Sequence, residues 1–141
     1  MQLTESSIFV NLKQLRNKLY CSQFHMGKAE RIIYGTPLME SCGQALGEFV
    51  LAFLVREDKV QHLEACIAWF TRLRVDLEFC VRQNIIHFKK REPKPGEPPF
   101  TDPRDAVSAQ KIELFRLVAA IDEDICKWRA RLAKGKISHD E

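Results

Sequence analysis

Residues 60–88, VQHLEACIAWFTRLRVDLEFCVRQNIIHF, limit what this chain can become. Leu63, Cys66, Ile67, Phe70, Leu73, Leu77, Cys80 and Val81 recur at steps of three and four, the spacing that lines side chains along one side of an α-helix. Trp69 and Phe79 widen the stripe, and neither Gly nor Pro interrupts it. Such a helix cannot stand alone in water, because its apolar stripe has to be removed from solvent by other elements. The remaining segments must supply that cover.

Three of them can. Ile8, Leu12, Leu15 and Leu19 form a stripe on a helix over residues 6–24, with Lys13, Arg16 and Lys18 on its solvated side. Thr4, Ser6 or Ser7 could cap it by accepting from the unpaired N–H groups of the first turn. After Gly27, residues 28–34 suggest a short helical turn that Gly35, Thr36 and Pro37 interrupt or bend. Thr36 suits an N-cap and Pro37 the first helical position, where its missing N–H would be unpaired anyway. The second main helix is therefore expected over 37–55, burying Leu38, Cys42, Ala45, Leu46, Phe49, Ala52 and Phe53. Gly43 and Gly47 stand one turn apart on it, and each costs about 1 kcal/mol relative to Ala in a helix interior. The expected compensation is close approach of a neighbouring helix, within or between subunits.

Arg56 and Glu57 leave a very short connection, so the second and third helices should form a hairpin. Asp58, with Gln61 three residues on, fits a capping box opening the third helix. Residues 89–104, KKREPKPGEPPFTDPR, read as a loop from their Pro and charge content. Asp102 as N-cap and Pro103 at the first position open a fourth helix. Along it Leu114, Val118, Ile121, Ile125, Trp128 and Leu132 alternate at four and three, as in a bundle seam. Residues 135–141 read as a frayed tail. Four amphipathic helices and no strand pattern in 141 residues predict one domain: an all-α, antiparallel up-down-up-down four-helix bundle.

With 45% hydrophobic and 29% charged residues, global disorder is excluded. A net charge of +3 permits an anionic partner without requiring one. The five cysteines form no C-x-x-C pair, and they read as small hydrophobes of a reduced, cytoplasmic protein. No ligand spacing supports a zinc site with His25, His62 or His87. The N-terminus lacks a signal-peptide pattern, and the most apolar run, 49–55, is too short to span a bilayer. No membrane association is expected.

Catalytic patterns are missing: there is no nucleophile elbow, phosphate-binding glycine loop or paired Glu-x-x-His. Glu40, Glu48, Glu64 and Glu78 read as solvated helical carboxylates. A non-enzyme without cofactor or metal is the expectation. Binding is better represented. Arg72, Arg74 and Arg82 project from the third helix, Lys89, Lys90 and Arg91 follow it, and Arg129 and Arg131 close the fourth. These eight are the candidate nucleic-acid-binding residues. Their contacts would go mainly to phosphate, and binding would be salt-sensitive. In an antiparallel hairpin the two sets fall at opposite ends unless oligomerisation unites them. Pro95-x-x-Pro98 also resembles a ligand of a polyproline-binding domain.

Three stretches in order, FHMGKAERIIYG (24–35), AWFTRLRVDLEF (68–79) and AAIDEDICKWRARL (119–132), resemble the Avd-like accessory proteins of diversity-generating retroelements. These belong to a wider family of bacterial four-helix bundles that includes proteins encoded in ribosomal RNA intervening sequences. The resemblance implies a ring-shaped pentamer that binds nucleic acid through basic surface. It also implies association with the retroelement's reverse transcriptase, which copies a template RNA into cDNA with errors. The bundle itself would not be catalytic. By position Arg74 matches the family's helix-three Arg and Arg131 the Arg after the Trp, while Glu78 stands where the family often has a second Arg. The alternative is a protein-interaction scaffold without nucleic-acid contact. It gains if Asp76 and Glu78 pair with the arginines.

Overall fold

The computed structural model describes residues 2–23, 25–88, 95–99 and 103–135, with the side chains of 23 and 103–109 left aside. A 3-10 turn, Leu3–Glu5, precedes α1 (Ser7–Gln23). A single turn, α2 (Lys28–Glu30), leads through a π-helical turn (Arg31–Gly35) into α3 (Thr36–Leu54). Then come α4 (Lys59–Arg82) and α5 (Pro103–Ala133). Among the described residues there is no strand, and the four long helices make an all-α four-helix bundle.

The apolar stripes meet in one core. Leu12, Leu15 and Leu19 of α1 are buried with Leu38, Cys42, Ala45 and Phe49 of α3, Leu63, Phe70, Leu73 and Leu77 of α4, and Val118, Ile121 and Ile125 of α5. The helix pairs touch at defined heights. Glu48 of α3 meets His62 of α4 at 2.7 Å, while Tyr34 meets Phe79 with ring centroids 6.0 Å apart. Glu64 and Arg74 of α4 meet Arg129 and Asp122 of α5. On α1, Ser7 donates from Oγ to Asp124 of α5 at 2.9 Å, and the Cys42 thiol of α3 faces the Leu12 carbonyl at 3.9 Å.

Several boundaries differ from expectation, each for a local reason. The Gly35–Pro37 segment does not break the chain. Gly35 is helical (φ −66, ψ −45), and the turn before it is widened so that the Thr36 N–H reaches the Arg31 carbonyl. Pro37 has no N–H to give, and its ring would press on the carbonyl four residues back, so a wider turn accommodates it. Thr36 accordingly caps nothing; its hydroxyl donates to the Arg31 carbonyl at 3.3 Å. Asp58 is not a capping-box residue either, since it lies in the left-handed region (φ 60) with no side-chain cap bond.

The helix expected to reach Phe88 ends at Arg82. Asn84 takes a left-handed conformation (φ 56), the Ile85 N–H bonds the Cys80 carbonyl and the Asn84 N–H bonds the Val81 carbonyl. That is a Schellman stop. It turns the chain so that Ile86 folds back into the core. Phe79, expected to widen the apolar stripe, is instead about half exposed, at 47%. Pro103 does open α5. Phe24, Asp102 and most of the tail lie outside the described residues.

Candidate functional site

The candidate cations are placed by α4 and α5. Arg72 lies on the exposed side of α4, its guanidinium 5.7 Å from the centre of the Trp69 ring, and Nε is 4.0 Å from Asp76 one turn on. Arg74 turns toward α5, where Nη1 is 3.2 Å from Oδ1 of Asp122. Arg129 reaches back from α5 to α4, Nε to Oε1 of Glu64 at 2.8 Å. These half-exposed pairs contribute little to stability, about 0–1 kcal/mol each. Their larger effect is on the field, since each guanidinium shares its surface with a carboxylate.

Arg82 and Arg131 are exposed and have no carboxylate partner among the described residues. Lys89, Lys90 and Arg91 lie outside the described residues. Among the described residues the structure does not bring Arg82 together with Arg129 and Arg131. Arg129 lies beside Glu64, whereas Arg82 is eighteen residues further along α4, about 27 Å at 1.5 Å per residue. Asp76 pairs with Arg72 as the scaffold alternative requires, and the carboxylate that meets Arg74 is Asp122 rather than Glu78.

The Trp of the closing segment is part of the core. Trp128 packs its ring 5.5 Å from that of Phe49 and 5.6 Å from the Lys59 ammonium. Lys59 is buried at 2% exposure, its stem against the core. His62 is held by Glu48, and Cys66 lies one turn further along α4. His25 and His87 line a cavity of about 430 Å³ together with Cys21 and Glu113. Among the described residues, no three such side chains are grouped closely enough to hold a metal ion. No described helix is long and apolar enough to cross a membrane.

Two surface features escaped the sequence reading. Val75 and Phe79 are exposed on α4, and Ile32 and Ile33 are exposed on the turn before α3, whose Tyr34 meets Phe79. Val75 and Phe79 are one turn apart on α4 and so share a face. The isoleucines were hidden by the expected break at Gly35, and Phe79 by its apparent place in the core stripe. The second feature is a groove between α1 and α3, lined by Lys13 and Arg16, residues expected to be no more than a solvated face.

The chain matches no protein-family model, no curated protein and no solved structure.

Proposed function

We propose that this chain is a non-catalytic assembly protein, a helical bundle that docks on other protein chains and first on copies of itself. The observation that carries this reading is the exposed pair Val75 and Phe79, one turn apart on α4, with Ile32 and Ile33 exposed on the turn whose Tyr34 meets Phe79. Single exposed hydrophobics are ordinary on a protein surface, whereas a group of them at one place marks a contact. The pairing of Arg72, Arg74 and Arg129 with carboxylates of the same chain favours a protein partner over a polyanion.

A second, more specific reading rests on the resemblance. It is an accessory protein of a diversity-generating retroelement, forming a ring-shaped homopentamer that holds reverse transcriptase with its template RNA or cDNA. The reversed order of contacts that α4 makes with the α3 side and with α5 supports the antiparallel bundle this reading needs. Arg82 and Arg131 would then be its phosphate contacts among the described residues, and a ring would multiply a modest charge by its number of copies.

The experiment is the solution mass of the protein with and without a structured RNA, at low and at moderate salt. Self-association without RNA uptake supports the assembly protein. Uptake that is released as salt rises supports the accessory protein, because phosphate contacts displace counterions. A monomer that ignores RNA overturns both.

A further inference from the structure

We infer that the groove between α1 and α3 is a docking site for an acidic amphipathic helix of a partner protein. The groove has a volume of about 540 Å³. It is on a different side from the apolar group of α4, so it stands or falls apart from the assembly reading.

The floor comes from Gly43 and Gly47. A Cβ added at either would meet nothing within 4 Å. The close helix approach that would offset two glycines in a helix interior is therefore not supplied by the described residues of this chain. The walls are apolar: Phe9 and Leu46 are partly buried and Leu51 is exposed at 41%. The rim is basic. Lys13 and Arg16 are exposed, and neither has a carboxylate partner among the described residues. Lys13 rests 5.2 Å over the Phe9 ring. Arg16 is near enough to α3 for its charge to act on the Cys42 thiol, next to Gly43. Unlike Arg72, Arg74 and Arg129, each matched to an acid of its own chain, these two cations leave the rim a positive charge that an acidic chain would complement.

These features select the occupant. An extended segment would leave backbone N–H and C=O groups facing apolar walls, while a helix satisfies its own. A helix laid between two others packs its side-chain ridges into their groove, and glycines let it come close. From Gly43 to Leu51 the groove runs about 12 Å, roughly two helical turns. The matching helix carries small and apolar residues at steps of three and four, with Asp or Glu flanking them to meet Lys13 and Arg16.

The test uses the full chain and a fluorescent synthetic peptide of about 18 residues, long enough to be helical, with an Ala/Leu stripe flanked by Glu. Binding read by anisotropy should weaken with salt. The double variant Lys13→Glu, Arg16→Glu should weaken it at least about tenfold, equivalent to about 1.4 kcal/mol. Gly47→Leu, which fills the groove, should abolish it. Circular dichroism should show both variants folded; the rim variant alters only surface residues and keeps the test decisive if Gly47→Leu does not fold. No binding at low salt, equal binding of a Lys-for-Glu peptide, or unchanged affinity in the folded rim variant would each overturn the inference. Self-association lost in Gly47→Leu without any peptide binding would give the groove to a second copy. RNA binding lost in the rim variant, again without peptide binding, would give it to nucleic acid. Either also overturns the inference.

Discussion

At the residue scale, burial decides chemistry. None of the five cysteines is in a disulfide; Cys42, Cys66 and Cys80 are buried, and Cys21 and Cys126 are exposed. Loss of water pushes the Cys42 thiol up to about 11, with Arg16 opposing. The same cause, reinforced by the Glu48 carboxylate, pushes Cys66 to about 12, and with Asp76 it pushes Cys80 to about 11. A thiol reagent at about pH 8 should therefore label two cysteines quickly and three only on unfolding. The sign of the pH effect follows. Above the ordinary thiol value of 9.0 the unfolded chain loses protons that the folded chain keeps, so ionisation favours the unfolded state. The urea midpoint should be insensitive to these thiols below about pH 9 and should fall above it. Neighbours can also differ completely. Leu73→Asp places an unpaired charge at a fully buried position and should unfold the protein. Arg74→Glu loses one half-exposed bridge to Asp122, should cost up to about 1 kcal/mol, and should leave the helical circular-dichroism spectrum intact.

At the scale of elements, the informative features are the junctions. The run from α2 to α3 stays helical because the π turn admits Pro37 without a break. The end of α4 depends on Asn84, a residue that enters the left-handed region more readily than most. Within α3, Gly43 and Gly47 lower helix stability with no compensating close contact among the described residues. Gly43→Ala and Gly47→Ala should each raise unfolding stability by about 1 kcal/mol in a urea titration, since the added methyl meets open space. A loss of stability would mean that something already packs there in solution.

At the scale of the whole molecule, surface pattern separates two kinds of contact. The exposed Val75 and Phe79 of α4 suit a protein contact, and the pairing of Arg72, Arg74 and Arg129 with carboxylates suits a polyanion less well at those three positions. On the proposed self-association, Val75→Asp combined with Phe79→Asp should reduce the mass in sedimentation to that of a single chain while the thermal unfolding transition is kept. Both side chains are about half exposed, so the changes alter surface rather than core. Unchanged mass in the folded double variant would remove this face from the assembly.

Helix type, most of the core and the start at Pro103 were legible in the sequence, because periodicity is a property of neighbours in the chain; Met26 and Ile86, buried beyond helix ends, were not. Leu12, Leu15, Phe70, Leu73, Ile121 and Ile125 could be assigned to the core from spacing alone. The stop after Arg82 was partly legible, since Asn84 is an accepted left-handed residue once the long apolar run is not read straight through. Three matters were left to the tertiary structure. Arg74 meets Asp122 across two helices, a pairing set by how the bundle closes and not by sequence distance. Phe79 faces out because the stripe is wider than the contact that covers it. Gly43 and Gly47 face open space because α1 lies to one side of them, leaving Lys13 and Arg16 over a groove. Periodicity states which side of a helix is apolar; only packing states how much of that side a neighbour covers.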